Sequence, residues 1–147
     1  MVCFKCGGDT VVTNSRLQKR TNGVWRRRRC ILCDTIFTTI EAIDHSKNVH
    51  VAPAAGEHKT AAQPFSRDKL FMSLYKSLGH RSTALPDAST LTDALLPQIM
   101  GRLADGRKDA GYTVARADII AVVIPVLTRF DKLAGQHYAA MHRVYPS

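Results

Sequence analysis

The 147-residue sequence lacks any run of about 18 consecutive apolar residues, which excludes a membrane-spanning helix. Its first ten residues, MVCFKCGGDT, lack the basic start and apolar stretch of a secretion signal. We therefore expect a cytoplasmic protein, whose cysteines stay reduced and favour metal binding over disulfides. The sequence also shows no pairing of a nucleophile with a base, so we do not expect an enzyme.

Acidic residues are scarce. The sequence has 12 Asp and Glu residues and 21 Lys and Arg residues, so its formal net charge is +9. The imbalance is strongest between positions 16 and 29, where seven basic side chains occur without a single acid. A surplus of this size indicates a polyanionic partner, either nucleic acid or an anionic membrane surface.

Cysteine is limited to four residues, and they form two Cys-x-x-Cys pairs: Cys3, Cys6, Cys30 and Cys33. Two such pairs can supply the four soft ligands of a tetrahedral zinc ion, with no position left for a reactive water. The spacing therefore predicts a structural zinc site. A disulfide framework and a redox dithiol fit less well, and an iron–sulfur cluster remains an alternative.

The segment between the pairs has the pattern of a zinc ribbon. The stretches TVVTNSRL and GVWRRRR flank the turn signal Thr21-Asn22-Gly23, and IFTTIEAI supplies a third strand. Residues 1–45 are thus predicted to form a three-stranded antiparallel module that is too small to fold without its metal.

The basic side chains of this module are predicted to contact nucleic acid. Strand alternation sends Arg26 and Arg28 to one face and Arg27 and Arg29 to the other. Their mutual repulsion is compensated when phosphates bind, because counterions are released. Trp25 either stacks on a base or sugar or caps the small core. The predicted DNA-binding residues are Arg16, Lys19, Arg20, Trp25, Arg26, Arg27, Arg28 and Arg29.

The remaining residues, 46–147, are predicted to form a mostly helical domain, which makes the chain α+β. Residues 46–64 are interpreted as a linker or an irregular strand segment. Four helices are expected: one capped by Ser66 and ending at Gly79, one from near Ser89, one from about Arg116 to Phe130, and one opened by Asp131. For IIAVVIPVL, within the third, a buried strand is the alternative.

Short motifs of the ribbon resemble the NrdR family of bacterial transcriptional repressors. That family carries S-R-x, then R-R-R-R-x-C-x-x-C, then F-T-T-x-E, and the corresponding residues here are Ser15-Arg16, Arg26 to Cys33, and Phe37 to Glu41. A weaker similarity continues with Phe65, Lys69 and Leu70, and then at Leu127, Asp131, Ala134, Ala139 and Arg143.

The resemblance implies a function. NrdR proteins join their zinc ribbon to an ATP-cone, a small helical domain that binds ATP or dATP. By resemblance the chain is expected to bind double-stranded DNA as a homo-oligomer and to repress ribonucleotide reductase genes, with ATP or dATP as effector. The nucleotide-binding residues implied are Glu41, Lys59 and Lys69.

The second half departs from the family pattern, which leaves other functions open. The family's Val-Val-Lys strand is replaced by VHVAPAAGEHKTAAQ, and its Ala-Tyr-x-Arg-Phe segment reads Ala134-Gly135-Gln136-His137-Tyr138. One alternative is a degenerate cone that only oligomerises or senses another ligand. Another is a zinc ribbon that binds RNA or associates with a polymerase.

Overall fold

The computed structural model describes residues 1–19, 21–53, 61–103 and 111–142. The chain divides into two compact units, Met1–Ile43 and Asp44–Ser147. Each unit has its own three-stranded sheet, and the helices of the described residues all lie in the second unit. The predicted α+β fold class, a small antiparallel sheet followed by a mostly helical part, is therefore confirmed.

The first unit is an antiparallel sheet in the order β1-β2-β3. Its strands are β1 (Thr10–Gln18), β2 (Gly23–Cys30) and β3 (Ile36–Glu41). The predicted turn precedes β2, and Asn22 there adopts a φ of 48°, a left-handed conformation that asparagine tolerates. The predicted third strand begins at Ile36 as expected and ends two residues before Ile43.

The ribbon buries very little apolar surface. Among the described residues of the first unit, Cys3 and Cys30 are the only hydrophobic side chains that are fully buried. Phe4 and Leu32 are more than three-quarters exposed, at 77% and 76%. A sheet with so small a core needs another source of stability.

The second unit contains a sheet that the sequence did not predict. It has the order β5-β4-β6 and consists of β4 (Val49–Ala52), β5 (Gln63–Pro64) and β6 (Tyr112–Ala115). β4 pairs antiparallel with β5 and parallel with β6. Strands of two to four residues are too short to show the alternation of apolar and polar side chains by which a strand is recognised in a sequence. The segment 46–64, predicted as linker or irregular strand, contributes β4, β5 and most of the short helix α1 (His45–Asn48).

Four longer helices build the rest of this unit. They are α2 (Arg67–Ser77), α3 (Ala84–Met100), α4 (Arg116–Phe130) and α5 (Lys132–Met141). The predicted cap of α2 is confirmed, since the Ser66 hydroxyl accepts a hydrogen bond from the Lys69 backbone N–H. Asp131 caps α5 in the same manner through the Ala134 N–H. IIAVVIPVL is helical, so the strand alternative is wrong.

The predicted start of α3 near Ser89 is wrong by five residues, because the helix begins at Ala84. The start was missed because Pro86, which lies in this first turn, argues against a helix when only the sequence is considered. A proline in the first helical turn is tolerated, since the backbone N–H that it lacks has no partner inside the helix there. Asp87 also lies in this first turn, where a negative charge is favourable.

The hydrophobic core belongs to the second unit and gathers all four longer helices with β4 and β6. Helix α4 contributes four fully buried residues and three partly buried ones, in agreement with its apolar sequence. The largest fully buried side chains of this core are Leu74, Leu78, Leu95, Ile99, Val114, Val123 and Leu127. Phe65, directly before the cap of α2, is also buried and ties the β5–α2 connection to the core.

Candidate metal centre and nucleic-acid interface

Two tight turns hold the four cysteines. In the first, the Cys3 N–H donates to the Gly8 carbonyl at 2.8 Å and the Gly7 N–H donates to the Cys3 carbonyl at 2.9 Å. Gly7 has a φ of 73°, a conformation that favours glycine. In the second turn, the Cys30 N–H donates to the Thr35 carbonyl at 3.0 Å. Both turns therefore present two thiols toward a common point.

The four Sγ atoms form a compact cage. All of them lie within 4.8 Å of one another. Cys3 and Cys33 Sγ are 3.7 Å apart, and Cys6 and Cys30 Sγ are 3.5 Å apart. A tetrahedral zinc ion with Zn–S bonds of about 2.3 Å requires sulfur separations of about 3.8 Å. The cage therefore fits a single zinc ion, and an iron–sulfur cluster would hold its thiolates farther apart.

Two thiols of the cage, those of Cys6 and Cys33, differ in how readily they ionise. The Thr35 hydroxyl, 3.2 Å from Cys33 Sγ, and the Thr35 backbone lower the pKa of Cys33 to about 6. The Gly8 backbone lowers the pKa of Cys6, but Cys33 and Cys30 raise it by more, to about 12. A divalent cation removes this conflict because it stabilises all four thiolates together.

The second cysteine pair continues directly from the arginine strand, since Cys30 is the last residue of β2. Along this strand, Arg27 and Arg29 are exposed and Arg26 and Arg28 are half-buried. This exposure follows the alternation that the sequence predicts. One cysteine of the cage and the four arginines therefore lie on the same strand.

The half-buried arginines make hydrogen bonds within the sheet. Arg26 donates to Glu41 at 3.0 Å and to Ser15 at 3.5 Å. Arg28 donates to Thr39 at 3.1 Å and to Thr10 at 3.5 Å. Each of these two arginines therefore connects the central strand β2 to both of its neighbours.

The exposed arginines and the remaining predicted DNA contacts have different surroundings. Arg29 forms an exposed ion pair with Asp34 at 2.8 Å. Arg16 and Lys19 are exposed, and Trp25 is half-buried between its register partners Arg16 and Ile40. Arg20 lies outside the described residues.

The three residues implied as nucleotide contacts are distributed as follows. Glu41 lies at the end of β3 in the first unit, where it accepts the hydrogen bond from Arg26. Lys59 lies outside the described residues, as does the family match Arg143. Lys69 lies in the first turns of α2, with its Nζ 3.3 Å from Gln63 Oε1.

Lys69 lines a cavity of about 530 Å³ in the second unit. The cavity lies among β4, β5 and the helices α2, α4 and α5, and the first turns of α2 and α4 both reach it. Its lining residues with polar side chains are Gln63, Ser66, Lys69, Ser73, Arg116, Tyr138 and His142. Two helix N-termini and two basic side chains make this a site suited to an anion.

Of these polar lining residues, the sequence assigned only Lys69 to a nucleotide site. It identified Ser66 only as a helix cap and gave no binding role to Gln63, Ser73, Arg116, Tyr138 and His142. His142 and Ser73 share a short hydrogen bond between Nε2 and Oγ. Burial and then the charge of Arg116 lower the pKa of His142, so its ring is neutral near pH 7. The sequence signal for this cavity was weak, because an arginine at the first position of a helix does not by itself indicate a cavity.

The fold and the site define a four-cysteine zinc ribbon joined to a mostly helical domain. Residues 1–41 match the family described as "Transcriptional repressor NrdR-like, N-terminal domain". The chain is 32% identical to the "Transcriptional repressor NrdR" of Chromobacterium violaceum over 99% of its length and 88% of the relative. It is 27% identical to that of Syntrophotalea carbinolica over 99% of its length and 85% of the relative.

The chain therefore belongs to the NrdR family of transcriptional repressors. Membership in this family assigns it a regulatory role rather than an enzymatic one. Among residues 1–19, 21–53, 61–103 and 111–142, no helix is both long enough and apolar enough to cross a membrane.

Proposed function

We propose that the chain is a repressor that binds double-stranded DNA through its zinc-stiffened ribbon. The observation that carries this proposal is the continuity of β2, whose arginines lead directly into the cysteine cage at Cys30. The ion fixes the strand that presents the guanidinium groups, and guanidinium groups contact phosphates and guanine in pairs of hydrogen bonds. A repressor of this kind acts on DNA in the reducing cytoplasm.

DNA binding is tested with the zinc-loaded full chain. Gel shifts should compare an upstream region of a ribonucleotide reductase gene, a random duplex and an RNA of the same sequence. Tighter binding to the upstream duplex than to either competitor supports a repressor of these genes. Equal affinity for all three contradicts it and favours a non-specific or RNA-binding ribbon.

We further propose that the cavity of the second unit binds the triphosphate of ATP or dATP. Lys69 and Arg116 supply positive charge there, and the first turns of α2 and α4 supply backbone N–H groups. Nucleotide occupancy would change how second units pair in a homo-oligomer. The spacing of the ribbons along the DNA, and hence the affinity, would change with it.

Calorimetric titration with ATP and with dATP tests this site. We expect Lys69→Gln to weaken binding by about tenfold or more, because it removes a charged hydrogen bond to phosphate. Lys76→Gln is the matched control, since Lys76 is an exposed lysine near the other end of α2. Equal affinities of the two variants would contradict the assignment of Lys69.

A second candidate function keeps the DNA binding without the nucleotide. It is favoured by the sequence of β4, Val49–Ala52, which contains no lysine where the family pattern ends its strand with one. The second unit would then only oligomerise or sense another ligand. Absence of any binding heat with either nucleotide at millimolar concentration selects this alternative.

A further inference from the structure

The four consecutive arginines of β2 have two different structural environments, which the strand register defines. Directly paired residues of an antiparallel sheet point to the same face. Trp25 pairs with Arg16, and Arg27 pairs with Asn14 on β1 and Thr38 on β3. Arg16, Trp25, Arg27 and Arg29 therefore share one face, which we call the open face.

The opposite face is the packed side of the ribbon. It carries the buried Cys30 of the metal cage, and Phe37 there packs edge-on against Phe4 at 5.3 Å between ring centroids. Arg28 is the register partner of Phe37, and Arg26 lies two residues before it on the same face. This face therefore holds a buried cysteine of the cage and the Phe4–Phe37 ring contact.

On the packed face, Arg26 and Arg28 connect the three strands of the sheet. Each one joins β2 to a side chain of β1 and to a side chain of β3, with partners at 3.0 to 3.5 Å. In Arg26 the positive charge is also offset by the Glu41 carboxylate at 3.0 Å. Because these guanidinium groups already bond both neighbouring strands, a phosphate would compete with the sheet for them.

On the open face, the guanidinium groups are available to a ligand. Within the described residues, neither Arg16 nor Arg27 has a hydrogen-bonding or ion-pair partner for its side chain. Arg29 pairs with Asp34, but both side chains are more than half exposed, at 55% and 71%. Exposed pairs of this kind contribute little to stability, so a phosphate can replace Asp34 at small cost.

We propose that the ribbon meets DNA with its open face, and that Arg16, Arg27 and Arg29 bind the duplex while Arg26 and Arg28 are positioning residues. This inference rests on the proposed DNA-binding function. The Cα atoms of Arg27 and Arg29 lie two residues apart on one strand, or about 6.8 Å, so the two side chains can engage separate phosphates. Trp25 lies beside them, where its ring can stack on a sugar or base.

The neighbouring residues Arg27 and Arg28 allow a matched test. The full-length zinc-loaded protein is titrated with a random-sequence duplex by fluorescence anisotropy at several salt concentrations. Each lost phosphate contact reduces the slope of log affinity against log salt by about 0.9. We expect R27Q to lose about 0.9 from the slope and the double variant R16Q/R27Q to lose about 1.8.

R28Q should retain the wild-type slope and instead lose zinc to a chelator at a lower chelator concentration. A purely structural role of Arg27 would not change the slope. An equal loss of slope in R27Q and R28Q, or a loss in R28Q alone, overturns the assignment. If R28Q does not fold, R26Q takes its place, and R16Q/R27Q with an unchanged slope overturns the assignment independently.

The same titration separates this inference from the proposed function. A wild-type protein that does not bind duplex DNA, or binds without salt dependence, contradicts the proposed function. A wild-type protein with a steep slope and an R27Q variant that matches it contradicts only the choice of face.

Discussion

Thr35 shows how a single side chain outside the cysteine set supports the metal site. Its hydroxyl and backbone lower the pKa of Cys33 to about 6, so the thiolate required for metal binding forms more readily. Thr35 is half-buried beside the second cysteine turn and is not a ligand itself. It corresponds to the hydrogen-bonding partners that surround protein zinc sites and orient their ligands.

We expect Thr35→Val to lower the zinc affinity by about 10- to 100-fold, the usual effect of losing such a partner. A chelator competition followed with a zinc-sensitive dye measures this change. Thr38→Val is the control, because Thr38 is an exposed β3 threonine three residues farther on. If Thr35→Val and Thr38→Val hold zinc equally well, the hydroxyl contributes nothing to the site.

Gly135 is a second residue whose role follows from a close contact. A Cβ atom at this position would lie 2.8 Å from Thr128 Cα, so α5 approaches the backbone at the end of α4 too closely for any side chain. The family pattern has a tyrosine at this point of its Ala-Tyr-x-Arg-Phe segment. The glycine at this position permits the close approach of α5 to the end of α4.

Gly135→Ala is expected to destabilise the second unit by about 1–3 kcal/mol, as overpacked core substitutions do. The higher helix propensity of alanine offsets about 1 kcal/mol of this at most. Urea unfolding followed by helical circular dichroism measures the difference. Gly101→Ala is the control, because a Cβ there meets ordinary contacts at 3.4 and 3.5 Å. A Gly135→Ala midpoint at or above that of wild type contradicts the packing argument.

At the scale of elements, Asp131 joins the end of α4, the start of α5 and the α2–α3 connection. Its carboxylate accepts from the Ala134 N–H at 2.9 Å, from His80 Nε2 at 3.1 Å and from Arg81 at 3.1 Å. The Ala134 N–H, then His80 and Arg81, hold the pKa of Asp131 well below its ordinary value. Arg81 extends the network to Asp87, whose pKa is lowered by Thr83 and Arg81.

The depressed pKa of Asp131 gives the network a definite pH dependence. A carboxylate whose pKa is lower in the folded state contributes stability above its unfolded pKa of about 4, and the contribution is lost as the pH falls through the folded pKa. Asp131→Ala should therefore lower the urea midpoint of the helical signal at pH 7. The difference from wild type should shrink as the pH is lowered below about 4.

Asp93→Asn is the matched comparison, since Asp93 forms only an exposed ion pair with Arg67, with side chains 46% and 45% exposed. The change in urea midpoint caused by Asp93→Asn should be small at every pH. If the urea midpoints of Asp131→Ala and wild type differ by the same amount from neutral to acidic pH, the stabilisation by residue 131 does not depend on its charge.

The elements also show how far the sequence determines the structure. The ribbon and the longer helices could be predicted because their signals are local: paired cysteines, an Asn-Gly turn and apolar residues at helical spacing. The sheet of the second unit could not, because Val49 and Tyr112 pair across a large sequence separation and their strands have only four residues. The cavity was missed for the same reason, since Ser73 and His142 meet only through the packing of α2 and α5.

At the scale of the whole molecule, the two units differ in what stabilises them. The second unit has a continuous hydrophobic core, whereas among the described residues of the first unit only Cys3 and Cys30 are fully buried hydrophobic side chains. In the ribbon, metal binding must supply the folding free energy that burial of apolar side chains supplies in the second unit. Removal of zinc should therefore unfold residues 1–43 and leave the helices of the second unit intact.

Trp25 makes this prediction directly measurable, because it is the only tryptophan of the chain and lies in β2. A strong zinc chelator should shift its emission toward that of a solvated indole, while the helical circular dichroism stays nearly constant and duplex binding is lost. Added zinc should restore both the emission and the binding, since the cysteines are not paired in disulfides. Loss of the helical signal together with the tryptophan shift would show that the second unit depends on the metal. An unchanged emission would show that the ribbon folds without it, and zinc would then not be what makes the arginine strand rigid.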